Sequence, residues 1–466
     1  MLVAGVDSST QSTKVILCDA DDGTIVAQAS APHPGGTECP PQAWWEALTK
    51  AGDGLLTRAA AVGVAGQQHG MVVLDSSAEV IRPALLWNDL RSAAAASALV
   101  EERGPRWWAE RTGSVPNASF TVTKLRWLAE HEPGNAARVN RVMLPHDFLT
   151  WLLAAGPQLA EEPVTDRGDA SGTGYFSPAD SAWLPEVAAD ALGHEVRLPR
   201  LARPAEAVGE TPLGAVVSAG TGDNMGAALG LGLEPGEIAV SIGTSGTAYA
   251  VTTVASADPS GAIAGFADAT GRFLPLVRSC GGVHAIAALA AQFGIDMARL
   301  DQLALGSPAG ARGVRLVPFD DADDSLGRLP TGGRLTGLRA DTTQEDVARA
   351  LVEGVVCTLL DGLDRLRAAD VPVGGRLFVQ GYAARSHAFQ RTLADLSERT
   401  IYLPHTTDVA DTSALGACVQ AASMLYQVDP AELANVWGLE PTRVVEPDYA
   451  VDADAIRADY TVPRAA

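Results

Sequence analysis

The stretch VAGVDSSTQSTKVILCD, residues 3–19, predicts a β-hairpin, because a tip of small hydroxyl residues separates two short apolar strands. A second stretch with the same pattern, IAVSIGTSGTAYAVTT, occupies residues 238–253. One hairpin opens the chain and the other lies near its middle, so a duplicated domain explains both. The Pro and Gly of residues 233–236 interrupt the apolar stretch before the second hairpin. We therefore expect one domain over residues 1–235 and a second over residues 236–466.

Segments typical of strands and helices alternate along the rest of the chain, as in an α/β fold. Thr342 and Glu345 have the spacing of a capping box. An apolar residue then recurs every four positions, at Val347, Leu351, Val355, Leu359 and Leu363. We expect a strand at residues 376–379, a loop at 380–385 and a helix that begins near Ser386. Ligands of such folds gather at the loops after the strands.

The composition indicates a large buried core and an acidic surface. Of the 466 residues 47% are apolar, and the formal net charge is −22. An acidic protein repels phosphate backbones, so we expect no nucleic-acid partner. The sequence contains no signal peptide and no apolar run of membrane-spanning length, so we expect no membrane partner. The five cysteines have neither zinc-like nor CxxC spacing, which favours a reduced, cytoplasmic location.

Both hairpin tips carry side chains that suit phosphate. Backbone N–H groups and hydroxyls on a tight turn form a concave set of donors, and residues 243–247 repeat the set found at residues 8–14. Asp7, at the end of a buried strand, is a candidate for holding Mg²⁺ through water. A polar turn without a ligand is the better explanation of one such loop alone. Two such loops favour a phosphate chain held from both sides.

Asp223 lies in a glycine-rich segment, residues 220–226, before a stretch compatible with a helix. Two interpretations are about equally good for this residue alone. Aspartate is a preferred helix N-cap. It could equally be the general base of a phosphoryl transfer, whose loose transition state demands little early proton abstraction.

A third set of polar residues follows the predicted strand at residues 62–65. Gln68 and His69 offer neutral donors and acceptors, which suit a polyhydroxylated ligand, although a solvated turn explains them slightly better when they are taken alone. Trp87 and Asp89 add an aromatic face and a carboxylate, and a core position explains Trp87 equally well. Weaker polar candidates, for which loop or cap roles are the better explanation, are Asp147 and residues 165–169.

Taken together, these segments resemble the motifs of the FGGY carbohydrate kinases over nearly the whole chain. The segments around Asp7 and at residues 241–246 are similar to the two phosphate motifs of the family, and residues 222–224 to the segment with its catalytic aspartate. Other segments resemble those of family members that act on D-xylulose, namely residues 66–70, 86–89, 119–125, 144–147 and 169–173.

The resemblance implies two actin-like, ribonuclease H-like α/β domains with a catalytic cleft between them. It also implies ATP-dependent phosphorylation of D-xylulose on its 5-hydroxyl, with Asp223 as the general base and with ATP and Mg²⁺ bound in the cleft. The sugar-binding residues it implies are Gln68, His69, Trp87, Asp89 and Asp223. The nucleotide-binding residues it implies are Asp7, Thr10, Gln11, Lys14, Gly243, Thr244, Gly381 and Ser386. The expected partners are a small-molecule sugar and MgATP, and a homodimer is a candidate assembly.

Two segments of the second half depart from the family pattern. Residues 381–386 read Gly-Tyr-Ala-Ala-Arg-Ser where the family has Gly-Gly-Gly-Ala-Arg-Ser, and the acidic residues 320–325 replace its Gly-Glu-Arg-Thr-Pro segment. Tyr382 is bulky, and two conformationally permissive glycines are missing. These departures keep one alternative open, a catalytically weak sugar-binding protein on the kinase scaffold. A kinase for another ketose or polyol is a separate alternative within the same family.

Overall fold

The computed structural model describes residues 1–155, 162–242, 246–279, 283–318, 333–404 and 409–460. The strands of the first half are β1 (Leu2–Ser8), β2 (Ser12–Asp19), β3 (Ile25–Pro32), β4 (Glu38–Cys39), β5 (Ala61–Gly66), β6 (Val72–Leu74), β7 (Ala84–Leu85), β8 (Arg141–Met143), β9 (Val164–Thr165), β10 (Phe176–Ser177), β11 (Ala182–Trp183), β12 (Arg200–Leu201), β13 (Ala207–Glu210), β14 (Val216–Ser218) and β15 (Thr221–Gly222). Its helices are α1 (Pro41–Ala51), α2 (Ala93–Arg103), α3 (Pro105–Thr112), α4 (Thr121–His131), α5 (Pro133–Ala136), α6 (Pro145–Ala155), α7 (Arg167–Ala170), α8 (Pro185–Leu192) and α9 (Asp223–Gly230).

The second half repeats the alternation of strands and helices. Its strands are β16 (Ile238–Ile242), β17 (Gly246–Ala250), β18 (Ala264–Ala267), β19 (Phe273–Ser279), β20 (Arg315–Pro318), β21 (Gly333–Thr336), β22 (Leu377–Gly381), β23 (Ile401–Leu403) and β24 (Arg443–Val445). Its helices are α10 (Val283–Gln292), α11 (Met297–Gly306), α12 (Gln344–Ala368), α13 (Tyr382–Arg385), α14 (His387–Ser397), α15 (Val409–Tyr426), α16 (Pro430–Val436) and α17 (Ala453–Tyr460).

Each half is built on one large mixed sheet, and the two sheets share a core topology. The first sheet has the order β13-β14-β5-β1-β2-β3, and the second has the order β18-β19-β17-β16-β22-β23-β24. In both, an antiparallel hairpin (β1–β2 or β16–β17) pairs in parallel through its first strand with a later strand, β5 or β22. The two predicted hairpins are therefore confirmed, and so is the α/β class.

Parallel pairing brings the predicted ligand loops to the carboxyl ends of neighbouring strands. Asp7 of β1 lies opposite Ala65 of β5, directly before the loop with Gln68 and His69. In the second sheet Ser241 of β16 lies opposite Gln380 of β22, next to Gly381. In each sheet the first strand of the hairpin and the strand before the predicted ligand loop therefore end at the same edge, where ligands of α/β folds bind.

Helix α12 confirms the predicted apolar repeat and corrects its start. The five residues predicted for the repeat are buried. The capping box, however, consists of Thr343 and Asp346, one residue later than the pair that the sequence predicted. Thr342 instead accepts a hydrogen bond from the Arg339 amide (2.8 Å) and closes the preceding turn, while Ser307 donates to the Asp346 carboxylate (2.8 Å).

Helix α15 lies in sequence between β23 and β24 of the second sheet but packs on the first sheet. It lies against β1 and β5 and crosses α9, so it joins the two halves. Glycines make this approach possible: a Cβ on Gly5 would lie 1.9 Å from the Ala414 carbonyl oxygen, and one on Gly416 would lie 1.9 Å from that of Gly226. The division between residues 235 and 236 stays a prediction. Among the described helices, none combines the length and the apolar character that crossing a membrane requires.

The crossing of α9 and α15 predicts a large effect for one added methyl group. We expect Gly416→Ala to lower the free energy of unfolding by about 1–3 kcal/mol, because the helices must separate to admit the Cβ. Gly134→Ala is the matched control, since a Cβ there has no atom within 4 Å. Urea unfolding of both variants measures the difference, and equal stabilities would contradict the packing argument.

Candidate active site

A cavity of about 300 Å³ lies between the two hairpins and brings together most of the predicted sugar-site residues. Ser9 and Thr10 line it from the first hairpin, and Ser241 and Thr247 line it from the strands that flank the second tip. The predicted residues that line the same cavity are Gln68, His69, Trp87 and Asp223. The two hairpins therefore face a common space that also contains the predicted base.

Asp223 is the first residue of α9, and the N-cap position belongs to Gly222. Its Oδ1 accepts hydrogen bonds from the backbone N–H (2.8 Å) and the side-chain amide (2.9 Å) of Asn224. Burial raises the pKa of the Asp223 carboxyl to about 6, although the bonds from Asn224 act in the opposite direction. At neutral pH the group is therefore mostly ionised and close to the basicity that suits a general base.

Asn224 links the base to the sugar side of the cavity. Its Nδ2 donates to Oε1 of Gln68 (3.0 Å) as well as to Asp223. The Nε2 of Gln68 is buried and has no hydrogen-bond partner among the described residues. An unsatisfied buried donor is costly, so a ligand oxygen in the cavity would satisfy a donor that the protein leaves open.

His69 is held as a neutral hydrogen-bonding group. It has a positive φ of 67°, and its Nδ1 bonds the carbonyl oxygen of Gly172 at 2.6 Å, which places the proton on Nδ1. The rings of Phe120 and Phe266 pack against it, with centroids at 4.9 and 5.7 Å. Burial lowers the pKa of His69 to about 3, so its Nε2 is available as an acceptor throughout the neutral range.

Trp87 joins the sugar side to the first hairpin. Its indole N–H donates to the hydroxyl of Thr10 (2.9 Å), a residue that the sequence assigned to the nucleotide. The guanidinium of Arg278, on β19, lies 5.5 Å from the ring centroid of Trp87 and donates to the hydroxyl of Ser119 (3.0 Å). Sequence reasoning missed Arg278 and Phe266, because both reach the cavity from the second half and no motif surrounds them.

Other predicted residues are engaged with protein partners. Asp89 does not line the cavity; its Oδ1 accepts from the backbone N–H (3.0 Å) and Nε (2.8 Å) of Arg91. Burial alone would raise the pKa of Asp89, but these bonds outweigh it and lower the pKa below its usual value. Lys14 forms an ion pair with Asp411 of α15. The sugar-binding role of Asp89 and the nucleotide-binding role of Lys14 stay predictions.

The nucleotide-binding set is only partly within the described chain. Gly243 and Thr244 lie outside the described residues, as does the acidic segment at 320–325. Gln11 lies exposed at the tip of the first hairpin. Gly381 ends β22 with a φ of 68°. Ser386 caps α14, where its hydroxyl accepts from the Phe389 N–H (3.2 Å) and donates to Asp301, so the prediction that a helix begins near Ser386 is confirmed.

The two halves match two models of one family. Residues 2–230 match the N-terminal domain of the FGGY family of carbohydrate kinases, and residues 238–425 match its C-terminal domain. The chain belongs to the FGGY family of carbohydrate kinases. It is therefore a sugar kinase that uses ATP with Mg²⁺, and the predicted family and enzyme class are confirmed.

Individual members of the FGGY family are similar over almost the full chain. The xylulose kinase of Streptomyces rubiginosus is 43% identical, with 97% of this chain and 93% of that protein covered. The xylulose kinase of Haemophilus influenzae is 31% identical over 90% of this chain and 89% of that protein. The crystal structure of xylulose kinase from Bifidobacterium adolescentis has a TM-score of 0.84 at 35% identity, and covers 99% of this chain and 98% of that one. The predicted two-domain FGGY fold is thereby confirmed.

The first hairpin has the chemistry for a magnesium complex of ATP. Asp7 is 1% exposed at the end of β1, and its carboxylate accepts a hydrogen bond from the hydroxyl of Ser9. A carboxylate oxygen beside hydroxyls and backbone N–H groups is the hard donor set that suits Mg²⁺ and phosphate. The residues present therefore fit the ion, with Asp7 as the group that would hold it.

The raised pKa of Asp223 predicts the pH dependence of the reaction. Asp223 must be deprotonated to act as the predicted base, so kcat/KM for the sugar should be half-maximal near pH 6 and level off at higher pH. His69, with a pKa of about 3, contributes nothing to this limb. Because the Asn224 bonds lower the pKa of Asp223, Asn224→Ala should move the limb to higher pH. Initial rates between pH 5 and 8 measure both effects.

The matched control for this prediction is Asn135→Ala, which removes an amide that donates to Glu132 (2.8 Å) and does not line the cavity. It should leave the limb of the profile in place. An unchanged or more acidic limb in Asn224→Ala would contradict the assignment of the limb to Asp223.

Proposed function

We propose that this FGGY kinase phosphorylates the 5-hydroxyl of D-xylulose with ATP, with Asp223 as the general base. One observation carries the proposal: residues from both hairpins, Gln68, His69 and the carboxylate of Asp223 line a single cavity. The names of its relatives support D-xylulose as the substrate, since two proteins that are 43% identical over 97% of this chain are xylulose kinases.

The sugar is held by groups that can both donate and accept. The unsatisfied Nε2 of Gln68 donates to one hydroxyl, and Nε2 of neutral His69 accepts from another. Trp87 supplies an aromatic face that Arg278 and Thr10 hold in place. Directed bonds of this kind, rather than bulk charge, are what discriminates between polyols.

The transfer depends mainly on position and charge. Asp223 accepts the proton as the sugar oxygen approaches the terminal phosphate, and Asn224 keeps its Oδ1 fixed. Asp7 would hold Mg²⁺, and the ion would supply neutralising charge for the phosphate oxygens. Thr10, Gln11, Lys14, Gly243, Thr244, Gly381 and Ser386 are the proposed nucleotide-binding residues.

We also propose a cytoplasmic location for the enzyme. Cys18, Cys39, Cys357 and Cys418 are buried and free, as expected where thiols stay reduced.

Turnover with a panel of sugars tests the proposal directly. With MgATP, D-xylulose should give the highest kcat/KM among ketoses, pentoses and polyols, measured as ADP release. Asp223→Ala should lower kcat by about a hundredfold or more, because a positioned base is lost. Higher kcat/KM on another ketose or polyol would assign that substrate instead. Thermal stabilisation by D-xylulose without ADP release would identify a sugar-binding protein.

Substitution of Gln68 should change the KM for the sugar more than the KM for ATP. We expect Gln68→Ala to raise the KM for D-xylulose about tenfold, because each hydrogen bond to a ligand contributes roughly 1–1.5 kcal/mol. The KM for ATP should stay within about twofold. Gln28→Ala, on exposed β3, is the control that deletes the same amide outside the cavity. Equal increases in the KM for D-xylulose and the KM for ATP would contradict a sugar-binding role for Gln68.

A further inference from the structure

His146, Asp147 and Asp169 form a fully buried cluster of ionisable side chains, and none of the three has a role in the proposed reaction. Nδ1 of His146 lies 3.1 Å from Oδ1 of Asp147 and 3.1 Å from Oδ2 of Asp169, with all three side chains at most 2% exposed. A third carboxylate, Asp166, is 3% exposed in the same region. Buried charges are expensive, so the arrangement requires a reason.

The cluster holds the segment that leads into the general base. Nε2 of His146 bonds the carbonyl oxygen of Ala219 at 2.8 Å. Two residues later, the hydroxyl of Thr221 donates to Oδ2 of Asp166 at 2.8 Å. The ring of His146 also contacts Gly220 closely, since a Cβ on that glycine would lie 2.5 Å from Nε2. The chain from 219 to 222 is thus fixed immediately before Asp223.

The same cluster also holds the segment that orients His69. Asp166 caps α7 by accepting from the N–H groups of Gly168 (2.9 Å) and Asp169 (2.8 Å). The carbonyl oxygen of Asp169 accepts from the N–H of Gly172 at 2.9 Å. The carbonyl oxygen of Gly172 in turn bonds Nδ1 of His69. One buried cluster therefore supports both the segment before the proposed base, Asp223, and the segment that bonds the proposed sugar ligand, His69.

We propose that His146 is a positioning residue, which sets the general base Asp223 and the sugar ligand His69 in register by bonding Ala219 on one side and Asp169 on the other. This inference rests on the proposed function, in which both residues contact the sugar. His146 touches neither substrate in this arrangement and acts only through the backbone of residues 219–222 and 166–172.

An imidazolium, rather than a metal ligand, fits the contacts of His146. The bond to the Ala219 carbonyl oxygen requires a proton on Nε2. Burial alone would lower the pKa of His146, but Asp147 and Asp169 outweigh it and raise the pKa well above its usual value, so Nδ1 is protonated too. Burial raises the pKa of Asp169, while the hydrogen bond and the charge of His146 lower it. A protonated Nδ1 cannot coordinate a cation.

Two substitutions at position 146 distinguish the bond to Ala219 from the contacts with the carboxylates. In His146→Gln the amide nitrogen can occupy the place of Nε2 and keep the bond to Ala219. In His146→Asn the shorter amide can reach the carboxylates but not Ala219. Thr221→Val is a milder, isosteric variant that removes the hydroxyl bond to Asp166. Leu149→Ala, on the same helix and fully buried, is the control for a general loss of stability.

We expect His146→Asn to lower kcat about tenfold or more at temperatures where it is folded, because a misplaced base loses reactivity steeply. His146→Gln should regain most of that loss, and Thr221→Val should lower kcat several-fold, by roughly the effect of one hydrogen bond. The KM for ATP should not change in any of them. Leu149→Ala, with a comparable fall in Tm, should keep its kcat within about twofold.

Crystal structures of His146→Asn and Leu149→Ala give a readout that does not depend on turnover. A displaced Asp223 carboxylate in His146→Asn alone supports the proposal, even if the wild-type protein proves inactive on D-xylulose and the proposed function fails. An unmoved carboxylate would overturn it, and so would equal kcat values in His146→Asn and Leu149→Ala. Elemental analysis that finds one tightly bound metal, lost in His146→Asn, would also overturn it.

Discussion

The close crossing of α9 and α15 is the constraint on which the active site depends. Helix α15 belongs to the second half by sequence, yet it fills the face of the first sheet beside β1 and β5. The backbones are in direct contact there, because a Cβ on Gly416 or on Gly5 would lie 1.9 Å from a carbonyl oxygen of the facing segment. Interiors packed to this density do not deform gradually. Helix α9, with Asp223 at its first position, is therefore fixed relative to α15 and the first sheet.

Polar contacts from α15 extend this constraint to the reacting groups. They reach the first hairpin, the carbonyl oxygen of Asp223, which is the proposed base, and the glycine loop before it. The pairs are Lys14–Asp411, Asp223–Ser413 (3.0 Å) and Gly220–Gln420 (3.2 Å). One helix, which lies in sequence between two strands of the second sheet, therefore holds the first hairpin, Asp223 and the loop before Asp223.

Local patterns in the sequence were sufficient to predict the hairpins, the buried face of α12 and the glycine-flanked Asp223. Their physical basis is short-range: apolar period, turn chemistry and a carboxylate beside glycine. Arg278 could not be found in this way, because it reaches Trp87 only when β19 of the other half folds against the cavity. Asp89, whose sugar-binding role stays a prediction, does not line the cavity for the opposite reason. Its nearest competitor for hydrogen bonds, Arg91, is two residues away and occupies the carboxylate.

The departure from the family pattern at residues 381–386 strains the backbone less than the loss of two glycines suggests. Only the first residue of this segment, Gly381, adopts a positive φ (68°), and it is still glycine. Tyr382 and Ala383 begin the helical turn α13, a conformation open to any L-residue. The ring of Tyr382 packs edge-on against Phe389, with centroids 5.8 Å apart. The two missing glycines were therefore not needed for the course of the chain, and the backbone gives no reason to expect a weak kinase.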